Sequence, residues 1–246
     1  MIIIALYSIK GGVGKTAAAV NLSYMAAKSQ KKTLLVDMDP QGAASFYFRV
    51  RTPGKLNKKS FVRGKKSLSK SIRGTNYEHL DFLPSAFSFR NLDLLLNSKK
   101  KAKKILPRLF KKFDDEYDWL FLDCPPNITL VSENIFNAAD LILAPIIPTT
   151  LSILTYKKLM RFFDAKKLDQ SKIVAFFSMV EKRKKMHQEI MNSNKSNDHF
   201  VDNYIPYLSE IEKMGLLREP VVHTHPGSRA SKAYQKLWEE VVTRLK

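Results

Sequence analysis

Apolar positions along the chain follow two rhythms. Short continuous runs at Ile2–Tyr7, Thr33–Val36, Leu80–Leu83, Trp119–Leu122, Leu141–Ile147 and Ile173–Phe177 read as buried strands, and Tyr204–Ile205 is a shorter run stopped by Pro206. Between them lie helical patterns at Lys15–Ser29, Phe89–Leu96, Ile105–Phe113, Leu130–Asn137, Ile153–Phe163 and Ser231–Leu245. Strands alternating with helices predict βαβ crossovers. The expected fold is therefore α/β: a doubly wound, mostly parallel sheet flanked by helices on both faces. Ligands in such sheets sit at the carboxyl ends of the strands. Three of those ends carry Lys10–Thr16, Asp37–Gly42 and Asp123–Pro126, so one crevice is expected to collect all three. No repeat and no Pro/Gly/Ser linker divides the chain, and a single domain is expected over residues 1–246.

Composition narrows the picture. With 44% hydrophobic residues the chain can fill a core, which excludes a disordered or fibrous protein. A single cysteine excludes an internal disulfide and fits a reducing compartment. The apolar N-terminus is too short to span a bilayer and lacks a basic leader, so a cytoplasmic protein is expected. The 42 Lys+Arg exceed the 23 Asp+Glu by 19. Such an excess is either the solvated surface of a lysine-rich protein or the mark of a polyanionic partner. Two segments concentrate it: residues 51–74 carry nine Lys/Arg, residues 99–112 carry eight, and neither contains an acid. The first reads as a loop with a short helix, the second as a lysine cluster leading into a basic amphipathic helix.

Gly11-Gly12-Val13-Gly14-Lys15-Thr16, between a strand and a helix, approximates the phosphate-binding pattern GxxxxGK[ST], with Ile9 where the first glycine would stand. Glycines let the backbone approach phosphate, and the helix N-terminus adds partial positive charge. Lys15 is placed to bridge the β- and γ-phosphates, and the Thr16 hydroxyl to ligate Mg²⁺. Lys10, ahead of the glycines, is badly placed to curl back onto the same phosphate. It is placed instead to reach a nucleotide held by a second subunit. Asp39 and Asp123 each follow a strand and point toward the same crevice. Cys124 has no histidine near it and reads as a small buried hydrophobe. The histidines show no metal-ligand spacing, and the pair His223/His225 is weak evidence for a site.

The motifs KGGVGKT (Lys10–Thr16), VDMDPQG (Val36–Gly42) and LFLDCPP (Leu120–Pro126) resemble, in order, those of the ParA/MinD ATPases with a deviant Walker A motif. The partition branch is most similar. The resemblance runs on through Phe82-Leu83-Pro84 and a C-terminal helix with Tyr234 and Glu239-Glu240-Val241. It implies a P-loop NTPase fold that takes ATP and Mg²⁺, with Gly11, Gly12, Val13, Gly14 and Ala17 around the phosphates. It implies that Asp39 orients or deprotonates the attacking water, that Asp123 with Thr16 holds Mg²⁺, and that Asp37 supports the region. Gln41-Gly42 and Pro125-Pro126 would be the switches. Pro206 would meet the adenine, and Met179 reads equally as adenine contact or as core.

The resemblance further implies a homodimer that forms with ATP, binds nonspecific DNA on the nucleoid and meets a ParB-like or other cargo adaptor that stimulates hydrolysis. Arg183 matches a family DNA-contact arginine, whereas a second such position holds Glu210. Lys182, Lys184, Lys185, Lys213, Arg218 and the two acid-free segments are the candidates to compensate. A MinD-like ATPase acting on a membrane surface is the alternative. A metallocluster carrier would need paired cysteines, and a tyrosine kinase of the superfamily a tyrosine-rich tail. At Thr149-Thr150 the family often has a glutamate.

Overall fold

The computed structural model describes residues 1–245. Seven strands form one sheet: β1 (Ile2–Leu6), β2 (Thr33–Asp37), β3 (Arg73–Gly74), β4 (Leu80–Leu83), β5 (Trp119–Asp123), β6 (Leu141–Ile146) and β7 (Ile173–Phe177). Their order is β3-β4-β2-β5-β1-β6-β7, all neighbours parallel except β3 against β4. Strands β2, β6 and even the edge strand β7 are buried throughout, as a sheet covered by helices on each side requires. Side chains alternate between two cores: Ile3, Ala5 and Tyr7 of the first strand segment face one, Ile4 and Leu6 the other.

The helices follow in chain order. They are α1 (Lys15–Lys28), α2 (Ala43–Tyr47), α3 (Lys58–Arg63), α4 (Lys65–Ser69), α5 (Leu92–Asn97), α6 (Ile105–Phe110) and α7 (Leu130–Ala138). After them come α8 (Thr150–Ala165), α9 (Lys185–Ser193), α10 (Ser209–Glu212), α11 (Met214–Leu217), α12 (Val221–Thr224) and α13 (Arg229–Arg244). Helices α1, α2, α12 and α13 pack on one core, and α3 to α8 on the other. In the register Leu6 stands beside Asp123 and Asp123 beside Asp37, so β1, β5 and β2 end at one level. That alignment gathers the three motif-bearing loops.

The sheet departs from expectation at its edges. Strand β3 is two exposed residues, Arg73 and Gly74, with no apolar pattern to announce it. Tyr204–Ile205 makes no ladder. The Ile205 N–H donates to Phe177 O at 2.8 Å, Val180 N–H to Ile205 O at 3.0 Å and Tyr207 N–H to Val180 O at 3.0 Å, which leaves one isolated bridge between Val180 and Pro206. Residues 51–74 hold two short helices rather than one, joined at Gly64 (φ 129°), which caps both. Asn57 opens the first: its side chain accepts from Lys59 and Ser60 N–H at 3.0 and 3.1 Å, and Ser60 Oγ accepts from Asn57 N–H at 2.8 Å.

Candidate functional site

Residues 7–14 carry the chain from β1 into α1, and Gly12 and Gly14 take left-handed φ values of 68° and 92°. A Cβ on Gly14 would sit 2.9 Å from Ser178 Oγ, so this turn demands glycine twice over. Helix α1 has no side-chain cap and no acid in its first turn. Its leading N–H groups and dipole therefore face the loop and make an anion site. Lys15 is buried and donates from Nζ to Lys10 O at 3.1 Å. Burial pulls its ammonium below the usual lysine range, while Asp123, Cys124 and Asp39 hold it up.

Three aspartates stand at the ends of β2 and β5. Asp37 is fully buried: its Oδ1 accepts from Asp39 N–H at 3.1 Å, and its Oδ2 from Ser45 N–H and Oγ–H at 3.0 and 2.8 Å. It ties α2 and the Asp39 loop to the sheet. Asp39 is half-buried, with Oδ1 accepting from Gln41 N–H at 2.9 Å. Asp123 is 1% exposed and neither carboxylate oxygen has a hydrogen-bond partner among the described residues. Burial first, and then the Asp37 charge, push its carboxyl well above the usual range. Thr16 and Lys15 lie near enough to pull it back, though the Thr16 hydroxyl makes no well-formed bond to it. A buried carboxylate without donors, beside a threonine hydroxyl at a phosphate loop, is a fitting seat for a hard cation.

A cavity of about 470 Å³ opens above these groups. Gly11, Gly12, Val13, Gly14, Lys15, Thr16, Ala17 and Asp39 line its floor, and Met179 and Pro206 its far wall. Its size falls within the range of small-molecule sites. Met179 is half-buried with φ 54°, a strained conformation that turns it toward the cavity rather than into the core. Tyr47, Tyr207, Ile211 and Tyr234 also line the cavity. Sequence reasoning gave none of them a role here. Tyr47 reaches the cavity because Gly42 turns the chain into α2 after the Asp39 loop, and no local pattern marks that.

Lys10 does not line this cavity. Its Nζ donates to Ser152 Oγ at 3.2 Å, on the first turn of α8. Ser152 is positioned in turn by Thr149, the N-cap of α8, whose Oγ1 bonds Ser152 Oγ at 3.0 Å. The Thr149-Thr150 departure thus caps a helix and holds the serine that receives Lys10. Cys124 is buried with its thiol pushed up by burial, a packed hydrophobe.

The residues expected to contact DNA are unequal. Lys182, Arg183, Lys184 and Lys185 are exposed together leading into the first residue of α9. Lys184 pairs with Glu181 at 2.5 Å and Lys185 with Glu189 at 3.7 Å, and Lys182 lies over the Tyr204 ring. Lys213 is exposed, beside Glu212 and near Glu210 of α10. Arg218 is held at the surface within its own chain: its Nε donates to Phe46 O at 2.9 Å and its guanidinium stacks on the exposed Phe46 ring.

Residues 1–176 match the AAA_31 family, described as an AAA domain. The chain is 29% identical over 250 residues to the virulence plasmid ParA family protein pGP5-D of Chlamydia psittaci, covering 98% of this chain and 95% of that protein. It is 28% identical to the chromosome-partitioning ATPase Soj of Treponema pallidum, covering 96% and 94%. Among solved structures, a Borrelia burgdorferi plasmid partition protein bound to AMPPNP superposes with TM-score 0.81 at 21% identity, over 99% of both chains. The Pyrococcus furiosus cell division ATPase MinD gives 0.79 at 22%, over 98% of both.

Proposed function

Because the chain belongs to the AAA_31 family and to the ParA/MinD ATPases, we propose that it is an ATP-hydrolysing switch. ATP drives a dimer, the dimer binds nonspecific DNA, and the cycle positions a plasmid, chromosome or protein cargo in the cytoplasm, on the nucleoid. The observation that carries this reading is the pair of bare Asp123 oxygens, buried at the end of a central strand beside Thr16 and Lys15. The loop N–H groups of Gly12 to Thr16 cradle the phosphates, and Lys15 bridges the last two. Thr16 and Asp123 would hold Mg²⁺, which would supply neutralisation of the triphosphate's negative charge. Asp39, fixed by the Gln41 N–H, orients the attacking water for in-line attack. Lys10 leaves Ser152 for the phosphates of the partner subunit. A cargo-side adaptor of the ParB kind stimulates hydrolysis and releases the DNA.

The test is DNA retardation with ATP, ADP and no nucleotide, using wild type, Lys10→Ala and Asp39→Ala. Lys10→Ala is expected to lose dimer and ATP-dependent DNA binding together. Asp39→Ala is expected to keep both and lose turnover. ATP-dependent retardation by Lys10→Ala equal to wild type refutes the switch. Sedimentation with anionic liposomes that needs ATP and resists competing DNA replaces this reading with the membrane one.

A further inference from the structure

The two acid-free segments, far apart in sequence, converge in the fold. Between α3, α4, β3 and the end of the 99–112 segment lies an open basin of about 1090 Å³, larger than the nucleotide cavity. Of its fifteen lining residues eight are Lys or Arg and none is acidic. Lys59 and Arg63 come from one wall, Lys66 and Lys70 from another, Arg73 from the sheet edge and Lys112 from the second segment. Gly64 makes the shape: its φ of 129° folds α4 back on α3 with no other residue between them, and Lys112 Nζ lies 3.8 Å from where its Cβ would be. Of the eight cations, Lys65 has an acidic partner among the described residues, Glu116 at 2.6 Å.

A lysine-rich surface that served solubility would be convex, mobile and dispersed. This one is concave and anchored from below. Leu56, Phe61, Leu68 and Phe113 are buried beneath it, and the Phe61 ring packs edge-on against Phe89 at 4.8 Å. Gathering like charges in a hollow raises their mutual repulsion, which an anion relieves. We propose that the basin is a second binding site, taking the sugar–phosphate backbone of a nucleic acid without nucleotide. Phosphates spaced along a strand match cations on opposing walls, and Ser67, Asn57 and the Gly64 backbone offer neutral donors between them. No aromatic residue lines the basin, so it has no platform on which to stack a base and reads no sequence. A lipid surface is disfavoured on two counts: a flat bilayer cannot meet cations on both walls of a hollow, and the lining offers no large apolar side chain to insert. The site is complete in one chain and uses none of the ATP-site residues, so it stands apart from the proposed switch.

The test is fluorescence anisotropy of a labelled oligonucleotide, single-stranded and duplex, with the full chain at several salt concentrations. The variants are Lys59→Gln/Arg63→Gln/Lys66→Gln/Lys70→Gln, all at exposed positions, and Lys182→Gln/Arg183→Gln/Lys184→Gln/Lys185→Gln as comparison. Without nucleotide the basin variant is expected to lose most binding. Four lost phosphate contacts lower the slope of log affinity against log salt by about 3.6 on duplex and about 2.8 on a single strand. Between roughly 50 and 200 mM salt the duplex difference amounts to about 10²-fold. The comparison variant keeps nucleotide-free binding, and the basin variant keeps ATP binding. A basin variant that matches wild type in affinity and slope overturns the proposal. So does tighter basin-dependent binding to phosphatidylglycerol vesicles or polyglutamate than to DNA at equal salt. Failure of the ATP switch would show separately, as loss of ATP dependence with the basin contribution intact.

Discussion

Gly14→Ala isolates the geometry of the phosphate loop in one substitution. The residue sits at φ 92°, where a Cβ costs about 1–2 kcal/mol. The new methyl would also stand 2.9 Å from Ser178 Oγ, an overpacked contact worth roughly 1–3 kcal/mol. Together these give a loss of about 3 kcal/mol, which for a chain of this length lowers Tm by roughly 6–12 °C. The two contributions separate in a double variant. Ser178→Ala removes the clashing oxygen and leaves the backbone strain, so in its background Gly14→Ala should cost only about 1–2 kcal/mol. Thermal melts of the nucleotide-free protein measure all four corners of this cycle, and isothermal titration with ATP reports whether the leading N–H groups of α1 remain aligned. An equal Tm loss in both backgrounds refutes the contact argument. A Gly14→Ala protein that melts and binds like wild type refutes the whole account of the loop.

Two further outcomes follow. Burial raises the Asp37 carboxyl to about 7, against ~3.9 in an unfolded chain, and the Ser45 and Asp39 donors soften the rise without cancelling it. The folded chain therefore holds that proton more tightly. Its stabilisation is full below pH ~4 and is lost as pH climbs through 7, so denaturant midpoints between pH 4.5 and 8 should fall more steeply in wild type than in Asp37→Asn, and equal slopes refute the assignment. Ser152→Ala removes the intrachain resting place of Lys10; losing a bond worth about 1 kcal/mol in each of two protomers should tighten ATP-dependent dimerisation roughly 30-fold by analytical ultracentrifugation, and an unchanged dimer constant refutes a link between that contact and assembly.

The sheet and the site floor were legible in the sequence because each rests on local chemistry. Six apolar runs became strands within a residue or so, since a strand buried on both faces cannot be written otherwise. Lys15 and Thr16 follow β1, Asp39 follows β2 and Asp123 closes β5, so local pattern alone places each at a strand end. What escaped was set by distant neighbours. Phe61 and Leu68 are core residues inside a stretch whose charge suggests a loop. Strand β3 exists only because Asp81 and Phe82 of β4 present an edge to pair with. The Lys10 contact spans 142 positions. The seat of Arg218 depends on Phe46, 172 positions away, and the turn of α4 back on α3 depends on the backbone at Gly64.

The placement of Asp123 and Asp39 has a mechanical consequence. Asp123 ends β5, which is hydrogen-bonded on both sides through five-residue ladders to β1 and β2. Asp39 stands on the short stretch before Gly42, with α2 hanging from it. The crevice is thus a vice with one jaw bolted to the bench. A change in what fills it would bear on residues 39–42, whose tether to the sheet is Asp37 through Asp39 N–H and Ser45 of α2.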